Sequence, residues 1–175
     1  MMLGSTLKSW QFYSYSLIQL LIEPGQFFRE LAENTTLKRT LGFMVICCGF
    51  FSIASLLTGA YSRPVWIMAI IFFVNAAGMI VISSFLGYTA MALIFGKRPS
   101  FSIVFSLYAF SSGVTLFISW LPFFLWFSEP WKWWLIYTGF KNTCGFTWKQ
   151  ALIILLVSMT VQFFLIYSAV IAFVN

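Results

Sequence analysis

The chain has no histidine and no aspartate, and its only acidic residues are Glu23, Glu30, Glu33 and Glu129. The first absence removes the commonest metal ligand and the commonest general acid–base group. The second leaves no pair of carboxylates within any one apolar stretch. Charged residues amount to 8% of 175, against about 25% in soluble domains. So few charges could not cover the surface of a water-soluble fold. The three cysteines have no metal-ligand spacing: Cys47 and Cys48 are adjacent in an apolar run, where cysteine acts as a small hydrophobe, and Cys144 follows much later. Beside basic residues near an expected interface, Cys144 is open to two readings, a palmitoylation site or an inert thiol. No glycine-rich phosphate loop occurs, and the loops are too short to house a nucleotide domain. No catalytic, metal or cofactor site is expected, and active transport driven by this chain alone is excluded. No cleavable signal peptide is expected either, because the apolar stretch Leu17 to Ile22 is short and runs into Glu23-Pro24.

What the chain does have is hydrophobic length. From Val65 to Phe95 there is no charge at all, and about 20 apolar residues suffice for a helix to cross a bilayer. This is an integral membrane protein with an all-α, polytopic fold. The net charge of +6 is scattered between apolar runs, which reports orientation rather than nucleic-acid binding. One membrane domain is expected over residues 41–175, preceded by an interfacial, cytoplasmic segment over 1–40.

In that segment, Trp10 to Leu21 mixes apolar and polar residues. Pro24 then suits the first turn of a second helix, which puts Phe27, Phe28 and Leu31 on one face and Arg29, Glu30 and Glu33 largely elsewhere. Two short amphipathic helices lying on the membrane surface fit this pattern; a cap packed on the bundle is the other reading. Spans are expected at Leu41–Tyr61, Val65–Phe95, from Phe101 until Pro122 interrupts, and Ala151–Val174.

Between the last two lies Pro122 to Phe140, which holds four of the eight tryptophans, with Trp120 just before it, together with Glu129, Pro130 and Lys132. If it crosses, making five spans, eight basic residues (Lys8, Arg29, Lys38, Arg39, Lys97, Arg98, Lys141, Lys149) share one side, and only Arg63 and Lys132 lie opposite. If it stays outside, the split is six to four. The positive-inside rule favours five spans, the fourth short or broken, with the N-terminus cytoplasmic and the C-terminus outside.

The spacing Pro24-x-x-Phe27-Phe28-x-x-Leu31 precedes the first span. The stretch Trp134-Leu135-Ile136-Tyr137-Thr138-Gly139-Phe140-Lys141, followed by Gly145-Phe146-Thr147-Trp148-Lys149-Gln150-Ala151, precedes the last. Together they resemble the Yip family of Ypt-interacting, five-span membrane proteins, in its prokaryotic branch. The resemblance implies five helical spans, a cytoplasmic N-terminus and no catalytic residues. Eukaryotic members bind prenylated Rab-type GTPases and one another, through a longer N-terminal region than this chain has, so GTPase binding is not carried over. The short fourth segment, with Glu129 and Lys132, is a second departure.

Four intramembrane polar residues remain. Glu129 and Lys132 stand three apart, a spacing at which helical side chains meet. They are read as an interfacial pair, or as a notch admitting a lipid headgroup or an ion. Asn75, beside Ala76, Ala77 and Gly78, is read as a helix-packing amide with Gln162 as its partner. Ser83, Ser84 and Gly87 extend this small-residue stripe, and Ser111, Ser112 and Gly113 suggest a tight crossing. The expected role is a non-enzymatic membrane scaffold or adaptor in the prokaryotic inner membrane, whose partners are the lipid bilayer, other membrane proteins or a second copy. The alternative is a lipid-handling or small-solute permease with a polar path near Asn75, Gln162 and Glu129.

Overall fold

The computed structural model describes residues 3–59, 61, 64–96 and 98–174. Arg63 and Lys97, two residues in the charge count, lie outside the described residues. The rest is helical: α1 (Leu3–Ile22), α2 (Pro24–Asn34), α3 (Leu37–Leu56), α4 (Val65–Phe95), α5 (Phe101–Ser119), a 3-10 turn at Pro122–Phe124, α6 (Leu125–Asn142) and α7 (Trp148–Val174). Among the described residues, four helices are long and apolar enough to cross a membrane: α3, α4, α5 and α7.

The helix ends follow local chemistry. α3 starts a turn before its expected first residue, taking in Lys38 and Arg39, whose exposed side chains can reach the headgroups from the first turn. It stops at Leu56 because the Ser55 carbonyl accepts from Thr58 Oγ1 (2.8 Å) and Tyr61 Oη (2.9 Å), which folds the chain back over the helix end. α4 ends at Gly96, whose φ of 64° is the left-handed cap that glycine adopts freely. α7 begins with a reciprocal box: the Thr147 N–H donates to Gln150 Oε1 (3.1 Å) and the Gln150 N–H to Thr147 Oγ1 (3.5 Å). α6 runs through Pro130 without breaking; the interruption lies upstream, at Pro122–Phe124.

α5 is the axis. Its residues from Val104 to Thr115 are all buried, as a helix apolar all round should be. α3, α4 and α6 pack against it, α7 packs against α4 and α6, and α2 lies on α6 and α5. Glycines set the close approaches. A Cβ on Gly113 would strike Phe43 of α3, one on Gly87 would strike Tyr108, and one on Gly139 would strike Leu107. Lipid tails are as apolar as the side chains, so such close backbone packing, rather than escape from water, holds the helices together.

One end of the bundle is filled with rings. Phe43 and Phe110 stack at 4.5 Å between centroids, Phe27 meets Phe110 edge-on at 5.1 Å, and Tyr108, Phe140 and Phe146 continue the layer. The start of α3 joins this end through Thr40 Oγ1 and Ser106 Oγ, 2.6 Å apart. The end of α4 joins it through Phe95 and Phe146. α6 therefore runs antiparallel along α5, with Gly139 at the ring-filled end and Glu129 at the other.

The α2 face assigned to the membrane surface turns inward instead. Phe27, Phe28 and Leu31 are all buried in the main core cluster, and Thr143 Oγ1 donates to the Phe28 carbonyl at 2.5 Å. Pro24, at the first turn of α2, is half-buried. The physical reason is available area: rings of α5 and α6 meet these three side chains on several sides, whereas a bilayer surface would meet only one. The aromatic face of α2 is thus used in packing on the bundle.

Candidate functional site

At the end opposite the ring layer, the bundle opens into a cavity of about 280 Å³ between α3, α4, α5 and α6. Its polar lining comes from three helices: Asn75 and Ser83 from α4; Ser112, Thr115 and Ser119 from α5; Glu129 and Lys132 from α6. Phe51, Ala76, Met79, Ile80 and Leu116 supply the apolar part.

Each element places its residues by helical spacing. Positions 112, 115 and 119 recur at three and four, so they stack on one face of α5. Thr115 Oγ1 donates to the Ser112 carbonyl at 2.9 Å. Ser119 Oγ is buried and has no partner among the described residues. Lys132 Nζ donates to both carboxylate oxygens of Glu129, at 2.7 and 2.6 Å. The pair is asymmetric: the Lys132 side chain is 17% exposed and that of Glu129 52%. Lys132 also sits over the Trp133 ring, 5.0 Å from its centroid.

Depth follows from position. α6 starts at Leu125 beside Trp126, which is 84% exposed, and tryptophan favours the membrane–water interface. At about 1.5 Å per residue, Glu129 lies about 6 Å and Lys132 about 10 Å into the helix. The ion pair thus lies within the first two turns of α6.

The expected pairing of Asn75 with Gln162 is replaced by another. Ser83 Oγ donates to Gln162 Oε1 at 3.1 Å, in a buried contact that ties α4 to α7. Asn75 is eight residues from Ser83, about 12 Å along α4, too far to share that glutamine. Asn75 is exposed and lines the cavity with Glu129 and Lys132. Three of the four polar candidates therefore converge, and Gln162 borders the same site through Ser83. The sequence reading missed Thr115 and Ser119; their regular recurrence after Ser112 was the available signal. Among the described residues, no three His, Cys, Asp or Glu side chains gather as a metal site.

A family model described as the Yip1 domain matches residues 18–170. The chain belongs to the Yip1 domain family. No curated protein and no solved structure gives a significant match. In this Yip1 domain protein, the motifs that carry the resemblance build the ring-filled end. Phe27, Phe28, Leu31, Phe140, Phe146 and Ala151 belong to one core cluster, and Gly139 is the close approach of α6 to α5. The cavity residues Asn75, Ser119, Glu129 and Lys132 fall outside those motifs.

Proposed function

We propose that this Yip1 domain protein is a non-enzymatic membrane scaffold, which organises the bilayer around it and recruits membrane-protein partners or a second copy. The ring layer carries this reading. Phe43 and Phe110, stacked at 4.5 Å, lie between the cavity and the opposite end of the bundle, so the polar lining stops partway. A permease needs a continuous polar path, and past the cavity the hydroxyls of Thr40, Ser106 and Tyr108 are buried among stacked rings that leave no such path open.

In this reading α6 crosses as a fifth span, and the protein sits in a prokaryotic inner membrane with the N-terminus cytoplasmic and the C-terminus outside. The charge distribution supports that orientation. Lys38 and Arg39 open α3, Lys141 ends α6 and Lys149 opens α7, all at the ring-filled end. Since the aromatic face of α2 is used internally, partners meet the outer face, where Arg29 and Glu33 are exposed, and the groove between α1 and α2, lined by Phe12, Tyr15, Gln19, Glu30 and Arg39.

The test pairs two measurements on the full-length protein. Reconstituted into vesicles, it should pass small solutes no faster than empty vesicles do. A photo-crosslinker at Glu33 should capture a membrane-protein partner or a second copy in native membranes, and should still do so after Asn75→Leu, Gln162→Leu, Glu129→Leu and Lys132→Met are combined. Solute flux that these four changes abolish would replace the scaffold with a permease.

A further inference from the structure

We infer that the cavity is a binding site for the zwitterionic headgroup of an aminophospholipid, phosphoethanolamine on a diacylglycerol, in the leaflet on the Trp126 side. Four observations carry this. The first is unsatisfied polarity. Ser119 Oγ is buried with no partner among the described residues, and the exposed Asn75 amide lines the cavity. Hydrocarbon cannot satisfy either group; a phosphate can accept from both.

The second is net charge. Glu129 and Lys132 form a neutral pair. A neutral zwitterion adds a phosphate to the lysine and an ammonium to the glutamate, giving an alternating, neutral four-membered cluster. An anionic headgroup would leave an uncompensated negative charge beside Glu129, in surroundings where unpaired charge is costly. A choline headgroup is neutral too, but its quaternary nitrogen has no N–H to donate to the carboxylate.

The third is the order of the charges along the membrane normal. Glu129 lies nearer the start of α6, and Lys132 lies about 4.5 Å deeper. A glycerophospholipid in that leaflet holds its phosphate deep and its ammonium outward, which matches lysine to phosphate and glutamate to ammonium.

The fourth is access. α5 forms the back wall, and among the described residues α7 contributes no lining side chain. Asn75 on α4 and the Glu129 side chain on α6 are exposed at the rim of the cavity, so a lipid headgroup can reach it with its acyl chains left in the bilayer. The ring layer makes it a blind site, so it holds a lipid rather than passing one through. The inference stands independently of any recruited partner.

The experiment titrates full-length protein in neutral detergent with phosphatidylethanolamine, phosphatidylcholine and phosphatidylglycerol of identical acyl chains, counting bound lipid by native mass spectrometry. The ethanolamine lipid should bind about tenfold tighter than the glycerol lipid, with choline between, as a charge-assisted hydrogen bond would give. Glu129→Gln should erase the distinction between ethanolamine and choline. The exchange Glu129→Lys with Lys132→Glu keeps an ion pair at the same spacing but reverses its order, and should abolish the ethanolamine preference while leaving thermal unfolding unchanged. Equal retention of the three lipids, or a preference that survives the exchange, would overturn the proposal. So would displacement of the lipid by an equal concentration of free phosphoethanolamine, which would assign the site to a soluble ligand.

Discussion

From Val104 to Phe110, α5 is enclosed by rings from α2, α3 and α6; from Ser112 to Ser119, the same helix presents hydroxyls to an open cavity. The contrast is between two ways of placing polar groups in a membrane. In the enclosed half hydroxyls are sealed among rings, whether paired, as Thr40 and Ser106 are with each other, or without a partner among the described residues, as the Tyr108 hydroxyl is. In the open half Ser119 Oγ has no partner among the described residues and the exposed Asn75 amide lines the cavity, where a ligand can reach both. Both halves depend on glycine: Gly139 and Gly87 bring α6 and α4 close to the enclosed half, and Gly113 brings α3 in at the junction.

The comparison can be broken at its enclosed end most severely. Phe28→Asp places an ionisable group among buried rings with no partner, so several kcal/mol should be lost and little folded protein should survive in detergent. Phe85→Leu, at an exposed position of α4, should leave the bundle core intact. Phe110→Ala removes the ring shared by Phe27 and Phe43; thermal unfolding should report a loss of about 3–5 kcal/mol. Gly113→Val overpacks against Phe43 and should cost about 1–3 kcal/mol. Ser83→Ala removes the hydrogen bond to Gln162 and should cost about 0.6 kcal/mol in the same assay. Smallest is Gly78→Val, whose Cβ meets nothing within 4 Å and which should shift stability by less than about 0.5 kcal/mol.

The sequence displayed the helices more clearly than their neighbours. Val65–Phe95 was read to the residue because charge and proline flank it and Gly96 caps it. What it could not display was rank within the bundle. α4 and α5 are both uncharged and apolar all round, yet 11% of the α4 window is buried and 61% of the α5 window. Lipid and protein interior are equally apolar, so periodicity cannot separate a lipid-facing side from a core-facing one. The amphipathic pattern of α2 was visible, but not its direction: rings of α5 and α6, distant in sequence, were there to receive Phe27, Phe28 and Leu31. The Glu129–Lys132 contact followed from spacing alone. Its convergence with Asn75, and the pairing of Gln162 with Ser83 in place of Asn75, depend on how α4, α6 and α7 register against one another, which local sequence does not encode.

The most direct test of the sealed-base account is side-specific thiol labelling with a charged, impermeant reagent, using Ser119→Cys and Ser106→Cys in separate proteins and the native Cys144 as a marker for the ring-filled end. Ser119→Cys should react from one face of the membrane only, Cys144 from the opposite face, and Ser106→Cys from neither. Reaction of Ser106→Cys from either face would mean that water passes the rings and would contradict the account, as would labelling of Ser119→Cys and Cys144 from the same side.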